Sequence, residues 1–215
     1  MASTVSKEKL KRCRGIIVWD FDRVLFDTEL FYKEAKKIFK KHGVSAMLLW
    51  RAVFKIRKDK GTFSMAHVLR ILRKWKVVVP EKKIKREIHH HLVITKYFTA
   101  DTNAILSRLQ RYGFLHMVLS YGAASYLHKR VRVGLGKEFM RHFVKISATR
   151  KPKYLFFEKL IRRYQALPVF FVDDTKNNID LVKKNAPSVI TIYHGRASSL
   201  KKVERIILSY AYKRK

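Results

Sequence analysis

Ile16-Ile17-Val18-Trp19-Asp20-Phe21-Asp22-Arg23-Val24-Leu25-Phe26-Asp27-Thr28 is the stretch that decides the fold. Its first residues are apolar and partly β-branched, which reads as a buried strand, and two carboxylates one residue apart follow at the strand's carboxyl end. Residues alternate faces along a strand, so Asp20 and Asp22 project to the same side, where an open α/β sheet binds its ligand. Left alone, the two charges would repel each other. A hard divalent cation that takes oxygen ligands and keeps several waters is the usual remedy, and it leaves one carboxylate free to act on a substrate. A solvated turn after a strand is the plainer alternative, since aspartate is common in turns. The recurrence of the pattern further along the chain weighs against it.

That recurrence is Val169-Phe170-Phe171-Val172-Asp173-Asp174-Thr175-Lys176-Asn177-Asn178-Ile179-Asp180, a second apolar strand ending in carboxylates. Adjacent strand residues face opposite ways, but the chain turns at the strand's end, so at least one carboxylate can reach the crevice. Asp174 is the expected direct metal ligand. Asp173 is expected to bind through water or to orient other groups, with Asn178 or Asp180 supporting the loop. The chain holds 49 basic and 16 acidic residues, a formal charge of +33, yet it concentrates its scarce acids in these two places. Such concentration reads as site chemistry.

The 215 residues suffice for one sizeable core, or for a core with a smaller inserted unit. A hydrophobic content of 47% with 13% aromatic residues excludes a disordered chain. The single cysteine, Cys13, can build neither a disulfide framework nor a zinc site, and a reducing cytoplasm fits best. Residues 1–14 form a basic extension without an apolar core, unlike a secretory signal, and no apolar run approaches membrane-spanning length. The positive charge makes anions the natural clients. Because the bases are spread over almost every helix, solvated faces explain most of them, and nucleic-acid binding is expected to be non-specific at most.

After Thr28, read as a helix N-cap, the pattern turns helical to about Tyr97 in four segments: Leu30 to Lys41, Ser45 to Lys58, Ser64 to Lys76 and Glu81 to Ile94. Gly43, Gly61 and Pro80 punctuate them. From Asp101 onward helices and strands alternate, with strands at Leu115 to Leu119, Phe143 to Ile146, Val169 to Val172 and Val189 to Ile192. With the first strand this makes five, which predicts an α/β fold: a Rossmann-like parallel-sheet core, residues 15–28 and 98–215, carrying an inserted helical cap, residues 29–97. The junctions near Thr28 and Thr99 would act as a hinge.

Two further loops carry chemistry. Ser120-Tyr121-Gly122 ends the second strand with a hydroxyl and a turn glycine before a helix whose first amides can bind a phosphate oxygen, although a simple cap is the commoner use. Lys151-Pro152 stands just before another helix. His89-His90-His91 point in different directions on a helix and read as polar surface. Gly134-Leu135-Gly136-Lys137 reads as a loop, and Trp50, Phe54 and Leu69 read as helix-bundle core rather than a base-stacking platform.

In order along the chain, these loops resemble the four motifs of the haloacid dehalogenase-like hydrolase superfamily. Asp20-Phe21-Asp22-Arg23-Val24-Leu25 is similar to the first motif, Ser120 to the Ser/Thr motif, Lys151 to the lysine motif, and Asp173-Asp174 with Asn178 to the acidic motif. The helical block resembles the cap of the phosphoglycolate phosphatase and β-phosphoglucomutase branch. The resemblance implies an Mg²⁺-dependent phosphatase acting on a small phosphorylated metabolite. Asp20 would form an aspartyl-phosphate, and Asp22 would protonate the leaving oxygen and later activate water. Mg²⁺ would sit on Asp20, Asp174 and the carbonyl of Asp22, with Asp173 in support, and Ser120 and Lys151 would hold the phosphoryl oxygens. Arg23 and Tyr121 are bulkier than the pattern's usual residues and are expected to narrow the site or touch substrate. The rival readings are a phosphomutase, a phosphatase of nucleic-acid ends, and a non-enzymatic RNA-associated protein on the same scaffold.

Overall fold

The computed structural model describes residues 13–59, 64–95, 97–98, 100–195 and 198–212. The basic extension up to Arg12, the punctuating Gly61 and the hinge junction Thr99 lie outside them.

Five strands form one parallel sheet in the order β3-β2-β1-β4-β5: β1 (Gly15–Trp19), β2 (Phe114–Tyr121), β3 (Phe143–Thr149), β4 (Val169–Asp173) and β5 (Val189–Tyr193). β1 is central and apolar on both faces because helices cover both faces. Ile17 and Trp19 join one core with Phe21, Leu127, Phe170 and Val172, while Ile16 and Val18 join another with Leu119, Phe157 and Phe171. A Cβ added at Gly15 would stand 2.9 Å from the Pro168 carbonyl oxygen, so only glycine lets the chain pass so close at the entry to β1.

Between β1 and the rest of the sheet run α1 (Thr28–Lys41), α2 (Ala46–Lys58), α3 (Met65–Lys74) and α4 (Glu81–Ile94). Their buried residues recur at helical spacing, as with Phe31, Ala35, Ile38 and Phe39 on α1 and Ile84, Ile88 and Leu92 on α4. These side chains are continuous with the sheet core through Phe21, Phe26 and Tyr97. The α1 N-cap is Asp27, whose carboxylate accepts from the Leu30 amide at 2.9 Å, and not Thr28. Thr28 is the first residue of the helix itself, and its hydroxyl, which donates to Asp22 at 2.7 Å, accepts from the Arg23 amide at 3.2 Å.

The bundle-core reading holds for Leu69, which is 1% exposed, and fails for Trp50 and Phe54, which are 61% and 68% exposed. Helix α2 turns a different face inward. Ala52 and Ile56, also four apart, are its buried residues, so identical spacing on the opposite side carries the aromatics into solvent.

The remaining helices are α5 (Ala100–Arg111), α6 (Ala124–Arg130), α7 (Gly136–Met140), α8 (Tyr154–Arg163), α9 (Lys176–Asn185) and α10 (Leu200–Tyr212). A π-helical turn, Val131–Leu135, joins α6 to α7, so the stretch read as a glycine loop is helical. Gly134 packs there against Phe26, where a Cβ would come within 3.0 Å of the ring. No helix among the described residues is long and apolar enough to cross a membrane.

Under the sheet, the Trp19 indole N–H donates to Nδ1 of His116 at 3.0 Å, so Nε2–H of His116 donates to the Leu106 carbonyl at 3.1 Å. Both ring nitrogens are used by the neutral form, and burial pushes the imidazole down to about 3. The unfolded chain therefore binds a proton near pH 6.5 that the folded chain refuses until about pH 3, and stability falls as pH drops through that window. We expect urea denaturation at pH 7 and pH 5 to show about 2 kcal/mol more loss in the wild type than in His116→Gln. Equal slopes would remove His116 as the cause.

Candidate active site

The carboxyl ends of β1, β2 and β4 meet at one edge of the sheet. Trp19 pairs with Val118 on β2 and Val172 on β4, which sets Asp20 level with Asp173 and brings Ser120 to the same edge. The Asp20 amide donates to the Val172 carbonyl at 2.8 Å, extending the ladder one residue past the strand. Asp20 and Ser120 are 6% and 4% exposed, and Asp173 is fully buried.

Lys153, at the N-terminus of α8, organises these acids. Its ammonium lies 2.8 Å from Asp20 Oδ1 and 2.6 Å from Asp173 Oδ2, with its side chain only 4% exposed. Asp173 also accepts from the Thr175 amide at 2.8 Å and from the Asn178 side-chain amide at 3.0 Å. Asp173 is therefore held on every side, while Asp174 stays half-buried and more accessible. Two buried carboxylates share one ammonium, so negative charge is in surplus. Burial, with Asp173 and Asp22 adding to it, pushes Asp20 up to about 7 against the pull of Lys153. Carboxylate oxygens of Asp20, Asp173 and Asp174 lie within 4.8 Å of one another. A hard divalent cation suits this all-oxygen, over-negative cluster.

Lys151 does not join the cluster. It is exposed, and its backbone closes a small turn with the Thr149 hydroxyl. Two lysines flank Pro152, and it is the second that α8 carries under the sheet edge. Asp180 is exposed as well, so loop support falls to Asn178. Tyr121 is 59% exposed at the end of β2. Arg23 adopts a left-handed φ of 61° and ties Glu29, at 2.9 Å, to Asp174, at 3.6 Å.

Asp22 diverges from Asp20 and meets Arg130, the last residue of α6. The guanidinium donates to Asp22 Oδ1 at 2.6 Å and Oδ2 at 3.2 Å, while Thr28 donates to Oδ1 at 2.7 Å. Arg130 is 7% exposed and sits in a box of rings, 4.8 Å from the centre of Phe21, 4.3 Å from Phe26, 5.5 Å from Phe31 and 5.4 Å from Tyr126. Arg130 and its bonds overcome the burial that would otherwise raise Asp22, and hold its carboxyl below the usual range. No local pattern marks Arg130 or Lys153 in a chain with 49 bases. The one available hint was that unusually many aromatics, Phe21, Phe26 and Phe31, surround the first acidic motif.

A cavity of about 600 Å³ opens beside the cluster, bordered by Arg23, Asp27, Phe98, His194 and Lys201. It touches the acidic cluster only by way of Arg23. A second, of about 310 Å³, runs from Arg23 along α1 to Trp50.

The ion pair's asymmetry is measurable. Asp22→Ala strands a buried guanidinium, whereas Arg130→Met leaves a carboxylate that keeps about a third of its exposure to water. We expect Arg130→Met to cost about 3 kcal/mol in urea denaturation and Asp22→Ala to cost more. The reverse order would mean that Asp22 and not Arg130 is the more deeply buried partner.

No protein-family model matches the sequence, and no curated protein matches it. Solved structures do resemble it. A haloacid dehalogenase-like family hydrolase from Xanthomonas campestris superposes with a TM-score of 0.62 at 12% identity over 94% of each chain. A Bacillus subtilis HAD-hydrolase bound to magnesium gives 0.54 at 15% over 90% of this chain and 98% of that one. CbbY from Rhodobacter sphaeroides, in complex with xylulose 1,5-bisphosphate, gives 0.51 at 16% over 84% and 86%. The chain has the fold of the haloacid dehalogenase-like hydrolases.

Proposed function

We propose that the protein is a metal-dependent phosphatase of small phosphorylated metabolites, working through an aspartyl-phosphate in a reducing cytoplasm. The observation that carries this reading is Asp20, buried at the carboxyl end of the central strand, backed by Lys153 and facing Asp174 across adjacent strands. The Bacillus subtilis relative bound to magnesium and the sugar-bisphosphate complex of CbbY support the choice of Mg²⁺ and of a phosphorylated client.

Asp20, Asp174 and the Asp22 carbonyl would hold the ion, with Asp173 supporting them. When bound, it supplies positive charge that offsets repulsion between carboxylate and phosphate. Asp20 attacks phosphorus as the bond to the leaving oxygen breaks, and water then cleaves the acyl phosphate to free Asp20 and inorganic phosphate. Lys153, in the role the sequence motif gave to Lys151, would balance charge on the transferring oxygens, and Ser120 would donate from the neighbouring strand. Asp22 accepts three hydrogen bonds where it lies and has no proton to give, so acid catalysis requires it to turn away from Arg130. The helical block, residues 29–97, would serve as a cap over Arg23 and the adjoining cavities, where it excludes water from the reaction.

We expect Asp20→Asn to abolish Mg²⁺-dependent turnover of an aryl phosphate with its thermal midpoint retained. Turnover that survives in that variant would end the assignment. Lys153→Met should lose activity by two orders of magnitude or about 3 kcal/mol, while Lys151→Met stays near wild type. Mg²⁺ at 100 times its dissociation constant should add about 2.7 kcal/mol of stability, and Asp174→Asn should lose that gain. Transfer of phosphate to a sugar hydroxyl instead of water would mark a mutase.

A further inference from the structure

The exposed aromatics of α2 do not stand alone. Trp50 and Phe54 face Trp75, at the C-terminal end of α3, across an open groove of about 460 Å³ whose remaining walls are Arg51, Lys55 and Lys58. Trp75 is 38% exposed, and the Arg51 guanidinium stands over its ring at 5.7 Å. Burying such rings is worth far more than leaving them in water, so three of them lining one surface groove is an unusual use of apolar area. Met47, 71% exposed one turn before Trp50, lengthens the same face.

Charge chooses the occupant. The groove alternates rings with cations, and among its lining residues no carboxylate appears. Asp59 lies nearby and pairs with Lys55 at 3.0 Å, both half-exposed, a contact that a competing anion can displace at little cost. The whole chain carries +33, which favours a polyanion over a single small anion. A lipid surface calls for a level apolar stripe with its cations at the rim. Here the cations share the groove with the rings, as an alternation of flat bases and phosphates demands. An acidic peptide would satisfy the cations but leave three ring faces without flat partners.

We propose that this groove on the helical block binds single-stranded nucleic acid, its bases stacking on Trp50, Phe54 and Trp75 and its phosphates pairing with Arg51, Lys55 and Lys58. Trp50 also walls the cavity that reaches Arg23, whose guanidinium lies 3.6 Å from Asp174. The binding itself is independent of any turnover there.

The test is fluorescence anisotropy of a labelled oligo-dT of about 12 nucleotides with the full chain, across a salt series. Trp50→Ala/Phe54→Ala keeps the net charge and alters only exposed side chains, and thermal melting checks its fold. We expect affinity to fall about tenfold or more in that variant at fixed salt. Arg51→Glu/Lys58→Glu should flatten the salt dependence by about two phosphate contacts. An aromatic variant that binds as tightly as the wild type would overturn the groove in favour of diffuse charge. Binding to phosphatidylserine-containing vesicles without binding to the oligonucleotide would overturn it in favour of a membrane surface.

Discussion

A single ammonium group holds the edge of this sheet together. Lys153 lies between Asp20 on β1 and Asp173 on β4, and without it two buried carboxylates on adjacent strands would face each other unpaired. Charges so far from water persist only when each has a close partner and further hydrogen bonds. Asp173 has them from Thr175 and Asn178, which ties the loop after β4 to the same point. The surplus negative charge that remains is what makes the place suited to a cation and a phosphate, so the stabilising contact and the chemical potential of the site have one source.

Arg130 performs the corresponding task for Asp22. Its guanidinium fills an aromatic box built from both sides of the helical run α1 to α4, with Phe21 and Phe26 from the loop after β1, Phe31 from α1 and Tyr126 from α6. The second carboxylate of the opening motif is thereby joined to the packing between sheet and helical block. The Asp22 side chain keeps about a third of its exposure to water, while that of Asp20 keeps 8%. The two neighbouring aspartates thus differ in character although one residue separates them.

Much of this was legible in the chain before it folded. The apolar run before Asp20 and the run before Asp173 are buried strands of a parallel sheet, and period and punctuation place most helices to within a few residues, the glycine-bearing stretch from Val131 to Met140 excepted. What pattern could not supply was the choice among equivalent residues. Lys151 and Lys153 flank the same proline, and spacing alone favours neither. Trp50 and Phe54 share their spacing with Ala52 and Ile56, so periodicity shows that a face exists without saying which face is turned inward. Thr28 has the chemistry of a helix cap but lies one residue inside the helix, its hydroxyl donating to Asp22 six residues back and accepting from the Arg23 amide.

Local interactions are encoded in neighbouring residues, and for that reason the sequence by itself determined the α/β alternation, the two acidic strand ends and the run of helices after the first strand. Partnerships between distant residues depend on how the elements pack. Lys153 meets Asp20, and Arg130 meets Asp22 across 108 positions, only after the sheet has assembled and its helices have settled on it. In a chain carrying 49 bases, composition makes every lysine and arginine look alike. Burial alone separates the two that neutralise the central carboxylates from the many that merely face water.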